Sequence, residues 1–171
     1  MVPPRPQTLQ QWRPPAPNIY KVNFDAVVFR SSNLAGLGVI VRDSCSAPIG
    51  ALSMPASLVQ SVAELEASAC QRAVQFALEI GLSRVVVEGD SAIVIDTLLN
   101  GTGKLASYGN ILDDIHVQAF AFQCVDFIHV SRVCNSVADA LAKKASASLG
   151  LQLWLEDLPA DIAPLVFHDV H

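Results

Sequence analysis

The sequence predicts one α/β domain, a mixed sheet with helices on both faces, in the order β-β-β-α-β-α-α-β-α. Three strand-like segments joined by short polar turns, at 20–29, 36–43 and 48–54, predict an antiparallel meander. The segments after them alternate between helical and strand-like apolar patterns, which predicts parallel crossovers. With 51% hydrophobic and 16% charged residues, the chain can build a core. We therefore expect five strands, three antiparallel and two parallel.

The meander is predicted from changes in apolar pattern. Residues 20–29 alternate at first and then become apolar throughout, as expected for a strand that runs toward the sheet centre. The second segment contains Gly36 and Gly38, which indicate a close backbone approach or a bulge. Pro48 opens the third segment and favours an edge strand, because proline cannot donate a ladder hydrogen bond.

The second half of the domain is predicted from helix signals. Ser61 and Glu64 form a capping-box pattern that starts a helix ending near residue 80, where Gly81 follows. A buried strand at 83–88 runs into a helix at 91–99. A further helix at 111–120, a strand at 125–130 and a helix at 136–148 capped by Asn135 complete the order.

The two ends of the chain differ from the domain between them. Residues 1–17 hold six of the ten prolines and read as an extended linker, which Trp12 can pin to the domain. Residues 149–171 form an acidic tail that can pack back on the domain, and 18–148 form the domain itself. The chain carries a net charge of −5 and has no basic patch of the kind that tight nucleic-acid binders show.

Cysteine usage and hydropathy bear on the compartment. The four cysteines form no C-x-x-C pair and no zinc-ligand spacing, which fits a reducing environment. No apolar run is long enough to span a membrane. We expect an intracellular monomer, nuclear or cytoplasmic, that is not secreted and has no membrane partner.

Four acids fall at comparable places in the predicted fold. Asp25 interrupts an apolar strand, Asp90 lies at a strand-to-helix junction, and Glu64 and Asp139 lie in the first turns of two helices. A carboxylate in an apolar strand is costly unless it is paired. For Asp90 the alternative is a simple helix N-cap. Gathered at one end of a sheet, such acids need cations between them, and hard oxygen ligands suit Mg²⁺ or Mn²⁺.

Four motifs in this order resemble those of the ribonuclease H type-1 family, and more narrowly its plant, retroelement-associated, reverse transcriptase-like branch. They are Val22-Asn23-Phe24-Asp25, Ala63-Glu64-Leu65-Glu66-Ala67, Glu88-Gly89-Asp90-Ser91 and Asn135-Ser136-Val137-Ala138-Asp139-Ala140-Leu141-Ala142-Lys143. The resemblance covers roughly residues 12–148. It implies the ribonuclease H-like fold with a five-stranded mixed sheet.

The resemblance also implies an activity and its residues. The activity is endonucleolytic hydrolysis of the RNA strand of RNA–DNA hybrids, with two Mg²⁺ ions, or Mn²⁺ in their place, and 5′-phosphate products. The implied metal-binding and catalytic acids are Asp25, Glu64, Asp90 and Asp139. Glu66 lies about 200° around the helix from Glu64 at 3.6 residues per turn, and the motif selects Glu64. Substrate contacts are expected at Asn23, Ser91, Arg132 and Asn135.

Two departures from the family pattern motivate an alternative. The loop 130–135 carries Arg132 and lacks the histidine that many members have there, while His129 lies in the preceding strand, where we expect it not to serve. The basic protrusion that some members use to grip the hybrid is absent, so we expect weak hybrid binding. The alternative is a catalytically inactive nucleic-acid-binding or protein-interaction domain derived from a retroelement.

Overall fold

The computed structural model describes residues 11–57, 61–101 and 106–170. Its centre is one six-stranded mixed sheet in the order β5-β4-β1-β2-β3-β6. β1, β2 and β3 form the predicted antiparallel meander, and β4 and β5 join it in parallel through β1. The strands are β1 (Tyr20–Phe29), β2 (Leu34–Arg42), β3 (Pro48–Ser57), β4 (Arg84–Gly89), β5 (Cys124–His129) and β6 (Gln152–Leu155).

Helices cover both faces of the sheet, as the sequence predicts. One face packs against α1, α2 and α3 around Phe24, Val39 and Val87. The other face packs against α4 and α5 around Ile40 and Ala51. The helices are α1 (Val62–Glu79), α2 (Ala92–Asn100), α3 (Gly109–Ala119), α4 (Ser136–Lys144) and α5 (Ala163–Val170), and a short 3-10 turn (Arg132–Asn135) precedes α4.

The segment predicted as an acidic tail, 149–171, is not separate from the domain. β6 pairs antiparallel with β3 over Gly50–Ser53, and Ile162 and Val166 are buried against α4. A domain boundary at residue 148 is therefore wrong, although the expectation that this segment packs back is confirmed. Because β6 lies outside β3, the prediction that Pro48 marks an edge strand is also wrong. The sheet consequently has six strands instead of five.

The predicted linker is also partly built into the domain. Residues 1–10 lie outside the described part of the chain. Trp12 is only 2% exposed, and its indole donates to the side chain of Asn23 in β1 at 3.1 Å. The expectation that Trp12 pins the arm to the domain is thus confirmed, and ordered structure begins before residue 18.

Glycines in β2 allow one helix to approach the sheet closely. A Cβ atom on Gly38 would overlap the carbonyl oxygen of Ala138 and the backbone nitrogen of Ala142, both in α4. A Cβ atom on Gly36 would overlap the carbonyl oxygen of Ala142. The predicted close backbone approach is therefore confirmed, and it brings the first turn of α4 to the middle of β1.

Among the helices of the described residues, none combines the length and the apolarity that crossing a membrane requires.

Candidate metal centre

The register of two parallel strands places the first two acids side by side. In the parallel pairing of β1 and β4, Asn23 lies opposite Glu88. Two residues further along both strands, this register places Asp25 beside Asp90. Asp25 is 3% exposed, and Asp90 follows the last residue of β4. Ser91, not Asp90, occupies the N-cap position of α2, so the N-cap interpretation of Asp90 is wrong.

The third acid at this place is Glu66, not Glu64. Asp25, Glu66 and Asp90 each present a carboxylate oxygen, and these three oxygens lie within 4.8 Å of one another. Glu66 is 8% exposed. Glu64 instead lies in the first turn of α1, where its backbone amide donates to the Ser61 hydroxyl at 3.0 Å, the amide-to-hydroxyl bond of the predicted capping box. The choice of Glu64 over Glu66 is corrected on this geometry.

The fourth acid, Asp139, lies close to Asp25. The close packing of α4 on β2 brings its first turn to β1, and the Asp139 carboxyl lies within hydrogen-bonding reach of Asp25. Lys143, one turn further along α4, forms an ion pair with Asp139 at 2.7 Å. Four carboxyl groups from β1, α1, the end of β4 and α4 therefore meet, three of them as the sequence predicts.

Burial and mutual repulsion raise the pKa values of two of these acids, Asp25 and Glu66. Burial, followed by the charge of Asp90, raises the pKa of Asp25 to about 8. Burial, followed by the charge of Asp25, raises the pKa of Glu66 to about 9. Both effects disfavour the ionised form unless a positive charge compensates for them. In the absence of a cation, these two carboxyls therefore keep their protons to a higher pH than aspartate and glutamate ordinarily do.

The donor set fits a hard divalent cation. All of the converging groups are carboxylates, which Mg²⁺ and Mn²⁺ prefer. The Oε2 atom of Glu66 is buried and has no hydrogen-bond partner among the residues that the structure describes. A buried acceptor without a donor is costly, and a cation coordinated by this oxygen would remove that cost. The residues present therefore fit the metal that the fold implies.

An open cavity of about 380 Å³ lies beside the acids, lined by Val62, Glu66, Asp90, Ser91, His129, Val130, Ser131 and Arg132. Ser91 and Arg132, two of the predicted substrate residues, therefore border the site. The Arg132 side chain is 85% exposed, with its Nε atom 4.0 Å from a carboxylate oxygen of Asp90. This guanidinium is therefore mostly exposed to solvent at the border of the cavity.

The other two predicted substrate residues are enclosed in the protein. Asn23 is 0% exposed and Asn135 is 1% exposed. The Asn135 amide donates to the Phe24 carbonyl oxygen at 2.8 Å, so this side chain ties α4 to β1. Because neither side chain reaches the surface, the prediction that Asn23 and Asn135 contact substrate is wrong in this structure.

Sequence reasoning missed two residues of this site. Glu66 lies three, four and seven residues before Ala69, Cys70 and Ala73, which form the apolar face of α1. This helical spacing indicates that Glu66 faces the sheet with them. His129 ends β5, and its Nε2 atom lies 3.3 Å from the Asp90 carbonyl oxygen. It lines the cavity beside the acids, and the expectation that it does not serve in place of the loop histidine stays a prediction.

Comparison with known proteins gives one family and one long relative. The sequence profile of the family described as "Reverse transcriptase-like" matches residues 23–145. The chain is 29% identical over 148 residues to the Arabidopsis thaliana protein named "Putative ribonuclease H protein At1g65750". That match covers 86% of this chain and 24% of the relative, so the chain spans about a quarter of the relative's length.

Solved structures share the fold at low identity. RNase H1 from the halophilic archaeon Halobacterium salinarum NRC-1 superposes with a TM-score of 0.69 at 20% identity, over 75% of this chain and 98% of that one. LC11-RNase H1 in complex with an RNA/DNA hybrid gives a TM-score of 0.65 at 20% identity, over 75% and 99% of the two chains.

Proposed function

The chain belongs to the reverse transcriptase-like family and has the ribonuclease H-like fold that its motifs predict, and on this premise we propose that it is a metal-dependent endonuclease. It hydrolyses the RNA strand of RNA–DNA hybrids. The observation that carries the proposal is the convergence of Asp25, Glu66 and Asp90, whose carboxylate oxygens lie within 4.8 Å of one another. Asp139 completes the set through Asp25.

The four acids would hold the metal, and Asp25 and Glu66 must first release their protons. Asp25, Glu66, Asp90 and Asp139 would hold two Mg²⁺ ions, or Mn²⁺ in their place, which would supply an activated water and stabilisation of the leaving 3′-oxygen, so that the product carries a 5′-phosphate. Asp25 interacts with Glu66, Asp90 and Asp139. It is therefore the acid best placed to contribute to the binding of both ions. Because the pKa values of Asp25 and Glu66 are raised, cation binding displaces protons from these two carboxyls.

The residues around the cavity receive the scissile phosphate. The exposed Arg132 guanidinium donates to phosphate oxygens, as arginine does in bidentate recognition. His129 and Ser91 border the same cavity and offer further polar contacts. RNA is distinguished from DNA through 2′-hydroxyl contacts in the wide minor groove of the hybrid. Because the chain has few bases, hybrid binding is weak. The protein acts as a monomer.

The geometry supports the enzyme over the inactive alternative. A domain that only binds nucleic acid has no need for buried acids that raise one another's pKa values, or for a buried carboxylate oxygen without a donor. Both features destabilise the protein without a cation. The missing loop histidine therefore does not, by itself, favour an inactive remnant.

A substrate panel tests the proposal. RNA–DNA hybrid, double-stranded RNA and double-stranded DNA, each labelled on one strand, are incubated with the protein in Mg²⁺ and in EDTA. We expect cleavage of the RNA strand of the hybrid alone, in Mg²⁺ alone, with 5′-phosphate ends. Hybrid that remains intact in both Mg²⁺ and Mn²⁺, or equal cleavage of all three substrates, would overturn the proposal.

A further inference from the structure

A layer of buried polar side chains lies directly behind the acid site. β1, β4 and the N-cap position of α4 each contribute one member to it. These members are Asn23, two residues before Asp25, Glu88, two residues before Asp90, and Asn135, four residues before Asp139. The layer therefore links the three elements whose relative positions set the spacing of the acids.

The side-chain amide of Asn23 joins the other two members of this layer. The Nδ2 group of Asn23 donates to Glu88 Oε1 at 3.1 Å and to Asn135 Oδ1 at 3.1 Å. Asn135 in turn donates to the carbonyl oxygen of Phe24, the residue before Asp25, at 2.8 Å. If the Asn23 amide turned over, its oxygen would face two other acceptors, Glu88 and Asn135.

Trp12 supports that orientation from the oxygen side of the amide. Its indole N–H donates to Asn23 Oδ1 at 3.1 Å, so the oxygen side of the amide has a donor and the nitrogen side faces the acceptors. An indole nitrogen can only donate, which makes this contact specific for one orientation. Trp12 comes from the arm outside the matched family region, which begins at residue 23.

The C-terminal helix holds Trp12 in place. The Trp12 ring lies over the Arg42 guanidinium, 3.8 Å from ring centre to the central carbon, and Arg42 pairs with Asp169 of α5 at 2.6 Å. Gln11 adds a bond from its side-chain amide to the Asp169 carbonyl oxygen at 2.8 Å. The two ends of the chain thus hold each other behind the acid site.

We propose that Trp12, held by Arg42 and Asp169, is a positioning residue for the metal centre. By fixing the Asn23 amide it keeps β1, β4 and α4 at the spacing that lets their acids share a cation. The inference rests on the proposed function in so far as the acids bind metal. It goes beyond that function in assigning to residues 11–12 and to α5 a role in the affinity of the site. Outer-shell groups that orient metal ligands affect affinity in this way.

The test removes one hydrogen-bond donor and keeps an aromatic ring. Trp12→Phe leaves a ring over Arg42 but no N–H for Asn23. We expect the dissociation constant for Mn²⁺, measured by titration calorimetry, to rise about tenfold, the lower end of the usual cost of losing outer-shell support. In metal-free protein, amide hydrogen exchange at Phe24–Ala26 and in the first turn of α4 should become faster.

Trp154→Phe is the matched control. Trp154 packs against the apolar cluster of α4 and α5 and is not part of the amide layer. Its loss should leave Mn²⁺ affinity and these exchange rates unchanged. The Trp154→Phe variant keeps Trp12 as its single tryptophan. Incorporation of benzothienylalanine in place of tryptophan in this variant therefore changes position 12 alone and replaces the indole N–H with sulfur. This second variant preserves the ring size if Trp12→Phe does not fold.

The outcomes separate this inference from the proposed function. Unchanged Mn²⁺ affinity and exchange upon loss of the N–H, or an equal weakening by Trp154→Phe, would overturn the positioning role. A wild-type protein that binds Mn²⁺ but leaves hybrid intact would overturn the proposed function alone, because neither readout here depends on cleavage.

Discussion

At the scale of single residues, the decisive feature is a carboxyl group placed where its charge is unfavourable. Asp25 is nearly fully buried and faces Asp90, Glu66 and Asp139. The sequence predicted this from one acid in an apolar strand, since such a residue requires a partner. It did not reveal that the pKa values of Asp25 and Glu66 would both be raised, because that follows from distances between segments far apart in sequence.

The raised pKa values predict how the stability of the metal-free protein depends on pH. A carboxyl whose pKa is higher when folded binds its proton more tightly in the native state. That stabilisation is complete below the ordinary values of 3.8 and 4.5, and it is lost as pH rises through about 8 for Asp25 and about 9 for Glu66. In EDTA, the free energy of unfolding should therefore fall between about pH 4 and pH 9.

Asp25→Asn should flatten this pH dependence. The amide cannot ionise, and its neutrality also relieves the repulsion that acts on Glu66. Urea unfolding in EDTA at pH 5 and pH 8 measures the effect, with the wild type as the reference. The variant should equal or exceed the wild type at pH 8. A variant that is much less stable at both pH values would mean that Asp25 has a structural role instead.

The two glutamates of α1 provide a matched pair. Glu66→Gln should abolish high-affinity Mn²⁺ binding, because an amide replaces a carboxylate within 4.8 Å of Asp25 and Asp90. Glu64→Gln should leave Mn²⁺ affinity nearly unchanged, since Glu64 is not among the carboxylates that converge with Asp25 and Asp90. Titration calorimetry of both variants decides between them, and the reverse ranking would restore Glu64 as the ligand.

At the scale of elements, helix period identified α1 but the motif comparison misassigned its acid. Glu64 shares a face with Ser68 and Gln71, both partly exposed, whereas Glu66 shares one with the buried Ala69, Cys70 and Ala73. The position of a residue around its own helix therefore indicated the burial correctly. In the C-terminal segment, the alternating leucines at 151, 153 and 155 indicate a strand, which is β6. The indication is weak because β6 lies at the exposed edge of the sheet, where these leucines are not buried.

The close packing of α4 on β2 predicts a specific cost for one added methyl group. Gly38→Ala places a Cβ against the backbone of Ala138 and Ala142, which cannot move without shifting α4 and with it Asp139. We expect a loss of about 1–3 kcal/mol in unfolding free energy, as for other overpacked sites. Gly150→Ala, which meets nothing within 4 Å, is the control and should be nearly neutral. Equal stabilities in urea would argue against the tight approach.

At the scale of the whole molecule, the fold is larger than the part that the motifs define. The four motifs span residues 22–143, and the order of elements within that region was predictable from local pattern. The roles of Trp12 and Asp169 were not, because the Arg42 that joins them is a buried charge whose partners come from the two ends of the chain. Such long-range pairs leave no periodic signal in the sequence.

The buried ion pair predicts that α5 contributes to stability. Asp169→Asn leaves the fully buried Arg42 without its countercharge, and breaking a buried pair in this way costs about 3–5 kcal/mol. Asp161→Asn is the control, because Asp161 pairs with Lys144 at the surface and such pairs contribute about 0–1 kcal/mol. Urea unfolding of the two variants compares these costs. Similar small losses would show that α5 is only loosely attached.

The central claim is that the buried acids bind divalent metal in order to cut RNA. Its most direct test is the initial rate of RNA cleavage in an RNA–DNA hybrid, measured for the wild type and Asp25→Asn as Mg²⁺ is titrated. We predict a wild-type rate that rises from zero with Mg²⁺. Cleavage by the variant should be lower by at least about a hundredfold at every concentration, as expected when a metal ion that stabilises the transition state is lost. Equal rates for the two proteins, or a wild-type rate that is independent of Mg²⁺, would contradict the account.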